Sequence, residues 1–232
     1  MATIAEMIKS SFARRRERRL EEEHKANPLD KDLPLGLCID CKIEIHPSLP
    51  QGMNMKPLGR THLVQAFSRA VVSGKTSFKV LLHSEEGEEI SYLWIQEDAK
   101  GLAVRWFVTL DEVFPENDEE WDFWFADKDG SIGLPEFQTK DGISYQRLWQ
   151  PGSAWRIEPV SYTETMFPDR YDSSKRFDVA HDCMLYGRNV GNDASARDEL
   201  IMLSGVKEPE GNHIAIDIGI DLDPTTDLSV HS

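Results

Sequence analysis

Three cysteines in 232 residues, Cys38, Cys41 and Cys183, are too few and too odd in number to staple a secreted disulfide framework, so reduced thiols are expected. No apolar run approaches the ~20 residues of a membrane helix. Met1 to Ser11 carries Glu6 and Lys9 where a signal peptide has an uninterrupted apolar stretch. These absences lead to the expectation of a cytoplasmic protein without a transmembrane segment. Positive charge is also scarce: 26 Lys and Arg against 41 Asp and Glu leave a formal net charge of −15. A surface of that sign repels phosphate backbones, which argues against nucleic acid as a partner. Missing too are a phosphate loop with a terminal lysine, a Gly-rich dinucleotide turn, a Gly-x-Ser-x-Gly elbow and any internal repeat.

What the sequence does have is alternation. Leu35, Leu37, Ile39, Cys41, Ile43 and Ile45 fall on every second position, which predicts a half-buried strand over Leu35 to Ile45. Phe78 to Leu82, Ile90 to Ile95 and Leu102 to Val108 predict a meander with turns at Glu85 to Glu88 and Asp98 to Gly101. Asp129-Gly130 and Asp141-Gly142 are hairpin turn signals bracketing Ile132 to Thr139 and leading into Ile143 to Trp149. Further strands are predicted over Ile157 to Thr163, Phe177 to Tyr186, Glu199 to Val206 and His213 to Leu222, the last pair joined through Glu208 to Asn212. Leu63, Phe67, Ala70 and Val71 fit a short amphipathic helix, although Leu63-Val64 and Val71-Val72 also suit strands, and Glu112 to Phe125 fits a loop with a helical turn. Ile4, Ile8 and Phe12, four apart, open a charged N-terminal helix that ends before the linker chemistry of Asn27-Pro28 and Leu33-Pro34-Leu35-Gly36. The expected organisation is a helix and linker over residues 1–32 and one mainly β domain over 33–232. The architecture is an antiparallel sandwich or a partly open barrel, with an α+β description still open.

Charge is segregated. Ser84 to Gly142 holds 17 acidic and 4 basic residues. Trp121 and Trp124 sit inside that stretch, so an aromatic patch with an acidic rim is expected there, suited to a basic or membrane-associated protein partner. Cys38-Ile39-Asp40-Cys41 has the gap of a metal knuckle, but on a strand positions 38 and 41 point to opposite faces and no second pair exists, so packed thiols are expected. Phe125 to Glu136 resembles a calcium loop, with Asp127, Asp129 and Glu136 as candidate ligands. Phe125 replaces the leading carboxylate and Gly133 removes the ninth-position contact, so a hairpin turn is the preferred reading. No cofactor is expected. His181-Asp182-Cys183 invites a nucleophilic reading, yet alternation places His181 and Cys183 on one apolar face, where a thiol is inert. Asp217, Asp221 and Asp223 lie opposite Ile214 to Leu222 on the last predicted strand, where a cation or simple solubility accounts for them.

Several stretches resemble the YjfK-like family of bacterial proteins of unknown function: Leu33-Pro34-Leu35-Gly36-Leu37, Asp129-Gly130-Ser131-Ile132-Gly133, Tyr145-Gln146-Arg147-Leu148-Trp149, Met184-Leu185-Tyr186-Gly187-Arg188 and Ile218-Gly219-Ile220-Asp221-Leu222. The resemblance runs from about residue 33 to the end. It implies a bacterial cytosolic protein with envelope-stress neighbours, and it brings no catalytic residues. The leading expectation is a non-enzymatic protein-interaction module with an acidic face, its N-terminal helix acting as a tether. The rival is an enzyme or cation-dependent small-molecule binder whose pocket gathers several of Arg147, Arg156, Glu158, Glu164, His181 and Arg188. Oligomeric state is left open.

Overall fold

The computed structural model describes residues 28–56, 59–87, 90–98, 101–126, 130–191, 196–208 and 211–231, so the expected N-terminal helix lies outside the described residues. The meander forms as predicted: β3 (Lys75–Ser84), β4 (Ile90–Asp98) and β5 (Gly101–Val113) pair in sequence. They follow β2 (Thr61–Val72) and precede, in space, β11 (Gly211–Leu222), β10 (Arg197–Glu208), β9 (Phe177–Val190) and β8 (Val160–Phe167). β8 bonds to both β9 and β2, which closes eight antiparallel strands into a barrel. Closure removes the exposed edges that a sandwich or an open barrel retains.

Two expectations are corrected. The helix over Leu63, Phe67, Ala70 and Val71 is strand β2, paired with β3 along its length. A register shift between Val64 and Ala66 breaks the alternation, so the apolar positions fall at helix-like spacing. The strand expected over Leu35 to Ile45 shrinks to β1 (Lys42–Ile45). Before it lies a 3-10 turn at Pro34–Gly36, with Leu35 at φ 63° and Asp40 at φ 69°, conformations no strand contains. Leu33, Leu37, Ile39 and Cys41 are buried nonetheless, because this irregular segment packs on the outer barrel wall. β12 (Leu228–His231), not anticipated, pairs with β1.

Strand alternation sorts the barrel into two faces. Tyr92, Trp94, Phe107, Cys183, Leu185 and Met202 point into the lumen and pack together. Phe67, Leu93, Trp106, Ile201 and Ile218 face outward yet are buried under the 33–45 segment and other covering elements. At one end Leu148 and Trp149 donate to the Leu185 carbonyl and Trp149 packs against the lumen residues. The remaining cover is helix α1 (Asp118–Phe125) and the hairpin of β6 (Glu136–Gln138) and β7 (Ser144–Arg147), which turns at Asp141-Gly142. Among the described residues no helix is long and apolar enough to cross a membrane.

Candidate functional site

Helix α1 starts where its cap chemistry requires. Asn117 Oδ1 accepts from the Glu120 N–H at 3.0 Å, and Glu120 Oε2 accepts from the Glu116 N–H at 2.9 Å, a reciprocal cap with acids at the positive end of the helix dipole. It ends by folding back: the N–H groups of Gly130, Ser131 and Ile132 donate to the carbonyls of Ala126, Phe123 and Trp124. Arg156 holds this turn through the Phe125 and Gly130 carbonyls. On the barrel side Phe125 lies over Gly205, where an added Cβ would come within 2.1 Å of the ring. Only glycine admits this approach.

The helix and the β6–β7 hairpin thereby wall a groove of about 790 Å³ on the outer barrel face. Phe123 and Trp124 come from α1, Leu134 and Phe137 from the hairpin side, Leu110 and Val113 from β5. Its chief charges are Asp111, Glu136 and Asp141, with Lys140 as the single basic residue lining it among the described residues. Lys140 pairs with Asp111 at 3.2 Å on a side chain that is 95% exposed, so it contributes little to holding the site together. Phe123 is 63% and Leu110 50% exposed, which leaves aromatic and aliphatic surface open beside three carboxylates.

The groove floor is fixed by a buried carboxylate. Glu199, fully buried on β10, accepts from the backbone N–H groups of Asn54 and Met55, from the Tyr145 hydroxyl at 2.9 Å and from Arg188 at 2.6 Å. Asn54 and Tyr145 both line the groove. Burial and the Glu199 bond push the Tyr145 phenol up to about 12, so it stays a neutral donor.

A second polar assembly lies inside the lumen. His181 Nε2 and Glu164 Oε1 are 3.0 Å apart, His181 Nδ1 and Ser204 Oγ 3.0 Å, and Ser204 Oγ and Cys183 Sγ 2.8 Å. Ser68 donates to Glu164, and Lys79 approaches it to 3.9 Å. Burial opposes the Glu164 charge, but Lys79 and the bonds from His181 and Ser68 outweigh it and hold the carboxyl at about 2. Burial pushes the Cys183 thiol up to about 12, which leaves no thiolate to attack a substrate. The chain Cys183–Ser204–His181–Glu164 is thus a set of satisfied buried groups rather than an activated nucleophile.

The residues singled out from sequence separate in space. Trp124 and Glu136 meet in the groove, with Glu136 bonded to the Ser144 hydroxyl. Trp121 does not line it, stacking on Phe125 at 4.7 Å instead. Asp127 and Asp129 lie outside the described residues, and among those described no three His, Cys, Asp or Glu side chains group to hold a metal ion. Cys38 and Cys41 are not on opposite faces of a strand: they bracket a turn in which the Cys38 N–H donates to Cys41 Sγ at 3.3 Å. Of the rival pocket residues only Glu164 and His181 converge in the lumen; Arg188 holds Glu199, and Arg147 holds the Gly133 carbonyl. The three aspartates also part. Asp217 faces the lumen, Asp221 pairs with Arg105 at 2.9 Å, and Asp223 caps the turn at Thr225. Sequence reasoning missed Leu110, Val113, Phe137 and Lys79, whose roles depend on which distant strands become neighbours.

Comparison with known families matches residues 17–228 to a family described as "Protein of unknown function (DUF2491)". No curated protein and no solved structure matches.

Proposed function

Because the chain belongs to the DUF2491 family of proteins of unknown function, we propose from the site itself that it is a non-enzymatic binding module, whose groove takes a partner segment presenting an apolar side chain flanked by basic residues. The observation that carries this is the groove's pairing of open apolar surface, Phe123 and Leu110 above all, with a rim of Asp111, Glu136 and Asp141. Apolar burial supplies the affinity and the carboxylates choose the sign of the partner. The YjfK-like resemblance extends the proposal to a bacterial cytoplasmic protein working beside envelope-stress components. The test is fluorescence anisotropy with two labelled peptides sharing a Leu-Phe centre, one flanked by lysines and one by glutamates. The lysine peptide should bind saturably and weaken as salt rises through the Debye range. Equal binding of the two peptides, or none by the lysine peptide, overturns the proposal.

A further inference from the structure

The barrel lumen offers a site unrelated to the groove. Lys79, Tyr92, His181 and Asp217 line both a cavity of about 230 Å³ at the barrel mouth and an inner chamber of about 20 Å³. The ammonium of Lys79 lies 4.5 Å from the centre of the Tyr92 ring and 3.9 Å from Glu164, and forms no hydrogen bond among the described residues. Trp94, 2% exposed, lines the inner chamber, and its indole N–H has no acceptor among the described residues. A buried donor in that condition is destabilising, and a ligand oxygen would relieve it. Opposite these donors Asp217, 4% exposed, accepts among the described residues only the Tyr92 hydroxyl, at 2.8 Å on one oxygen, and Glu112 and Glu208 add negative charge at the mouth. Leu81, Ile90, Met166 and Phe177 make the rest of the wall apolar.

The two kinds of group need two kinds of ligand atom. Lys79 and Trp94 call for an anionic oxygen, whereas Asp217 calls for a cation. A carboxylate alone would add a third negative charge beside Glu164 and Asp217, and an amine alone would leave the two donors unmet. The mouth cavity lies below the roughly 300 Å³ at which drug-sized pockets begin, which limits the ligand to something smaller than a drug molecule. We propose that the lumen binds a small zwitterion of amino-acid size with an apolar side chain, its carboxylate meeting Lys79 and the Trp94 indole N–H and its ammonium meeting Asp217.

The test uses the full chain with 15N-labelled tryptophan and three probes: L-leucine, L-leucinamide, which lacks the carboxylate, and N-acetyl-L-leucine, which lacks the ammonium. At concentrations up to about 10 mM, suited to the millimolar affinity of so small a ligand, L-leucine should move the Trp94 indole signal saturably. The amide and the acetyl derivative should each bind at least ~10-fold more weakly, one lost charge contact being worth about 1.4 kcal/mol or more. Asp217→Asn and Lys79→Met, each first shown by thermal melting to remain folded, should cause comparable losses with L-leucine. A Trp94 signal unmoved by L-leucine, or equal binding of the three leucine compounds, overturns the proposal. The probe comparison stands even if a variant fails to fold, and the groove peptides play no part in it.

Discussion

Replacing Arg188 with methionine isolates the buried anchor beneath the groove. Arg188 gives Glu199 two short bonds, 2.8 Å from Nε and 2.6 Å from Nη2, reaches the Gly52 carbonyl at 2.9 Å, and lies 5.3 Å from the Tyr145 ring centre. Methionine keeps much of the apolar stem but leaves the Glu199 carboxylate buried without its cation. Breaking a buried pair from one side costs about 3–5 kcal/mol. The low end applies here, because Tyr145 and two backbone N–H groups still solvate the carboxylate and the Arg188 side chain is 22% exposed. A loss of about 3 kcal/mol corresponds to a fall in Tm of about 6–12 °C for a chain of this size. Urea unfolding followed by tryptophan emission should show this as a lower midpoint at unchanged slope. Adding Glu199→Gln removes the orphaned charge while keeping an acceptor, so the double variant should be more stable than Arg188→Met alone. A single-variant loss under about 1 kcal/mol, or a double variant less stable than the single, would refute the claim that the charge is what needs Arg188.

Three further outcomes follow from the same geometry. Gly205→Ala places a methyl group in the Phe125 ring, so stability should fall by about 1–3 kcal/mol and lysine-peptide binding should weaken with it; an unchanged melt would mean that α1 is not seated on the barrel. His62 is fully buried, and burial lowers its pKa by more than the nearby Glu86 charge and the Gly59 backbone raise it, so the unfolded chain takes up a proton that the folded one resists. Stability should therefore drop as pH falls below His62's unfolded value of 6.5, and His62→Phe should flatten that drop in urea midpoints measured at pH 7.5 and 5.5; an identical pH dependence in the variant contradicts this. Cys183 should resist iodoacetamide at neutral pH in the native protein while the half-buried Cys38 reacts first, as peptide mass spectrometry will show; preferential labelling of Cys183 would mean that the lumen opens.

The barrel strands were legible because strict alternation and turn residues agree over β3 to β5 and again over β9 to β11. Where the two cues diverged the reading failed. Leu37, Ile39 and Cys41 alternate in burial without being a strand, since a segment lying on a wall also buries alternate residues, and Asp40 at φ 69° is invisible in composition. The acidic aromatic stretch announced itself through its charge and its tryptophans, but not that Trp124 would face Leu110 and Phe137 while Trp121 turned to Phe125. Polar residues alternating with isoleucine on β11 read as a solvent face. Closure of the sheet turns that face inward, which is why Asp217, with Lys79 opposite on β3, ended in the lumen.

The central claim, that the groove is the binding surface, is tested most directly by following the tryptophan indole signals of the full chain while the lysine-flanked peptide is added. Trp124, which lines the groove, should shift in proportion to occupancy, and Trp106, fully buried in the barrel wall, should not move. A peptide that binds while leaving Trp124 still and moving Trp155, 72% exposed and outside the groove, would contradict the account.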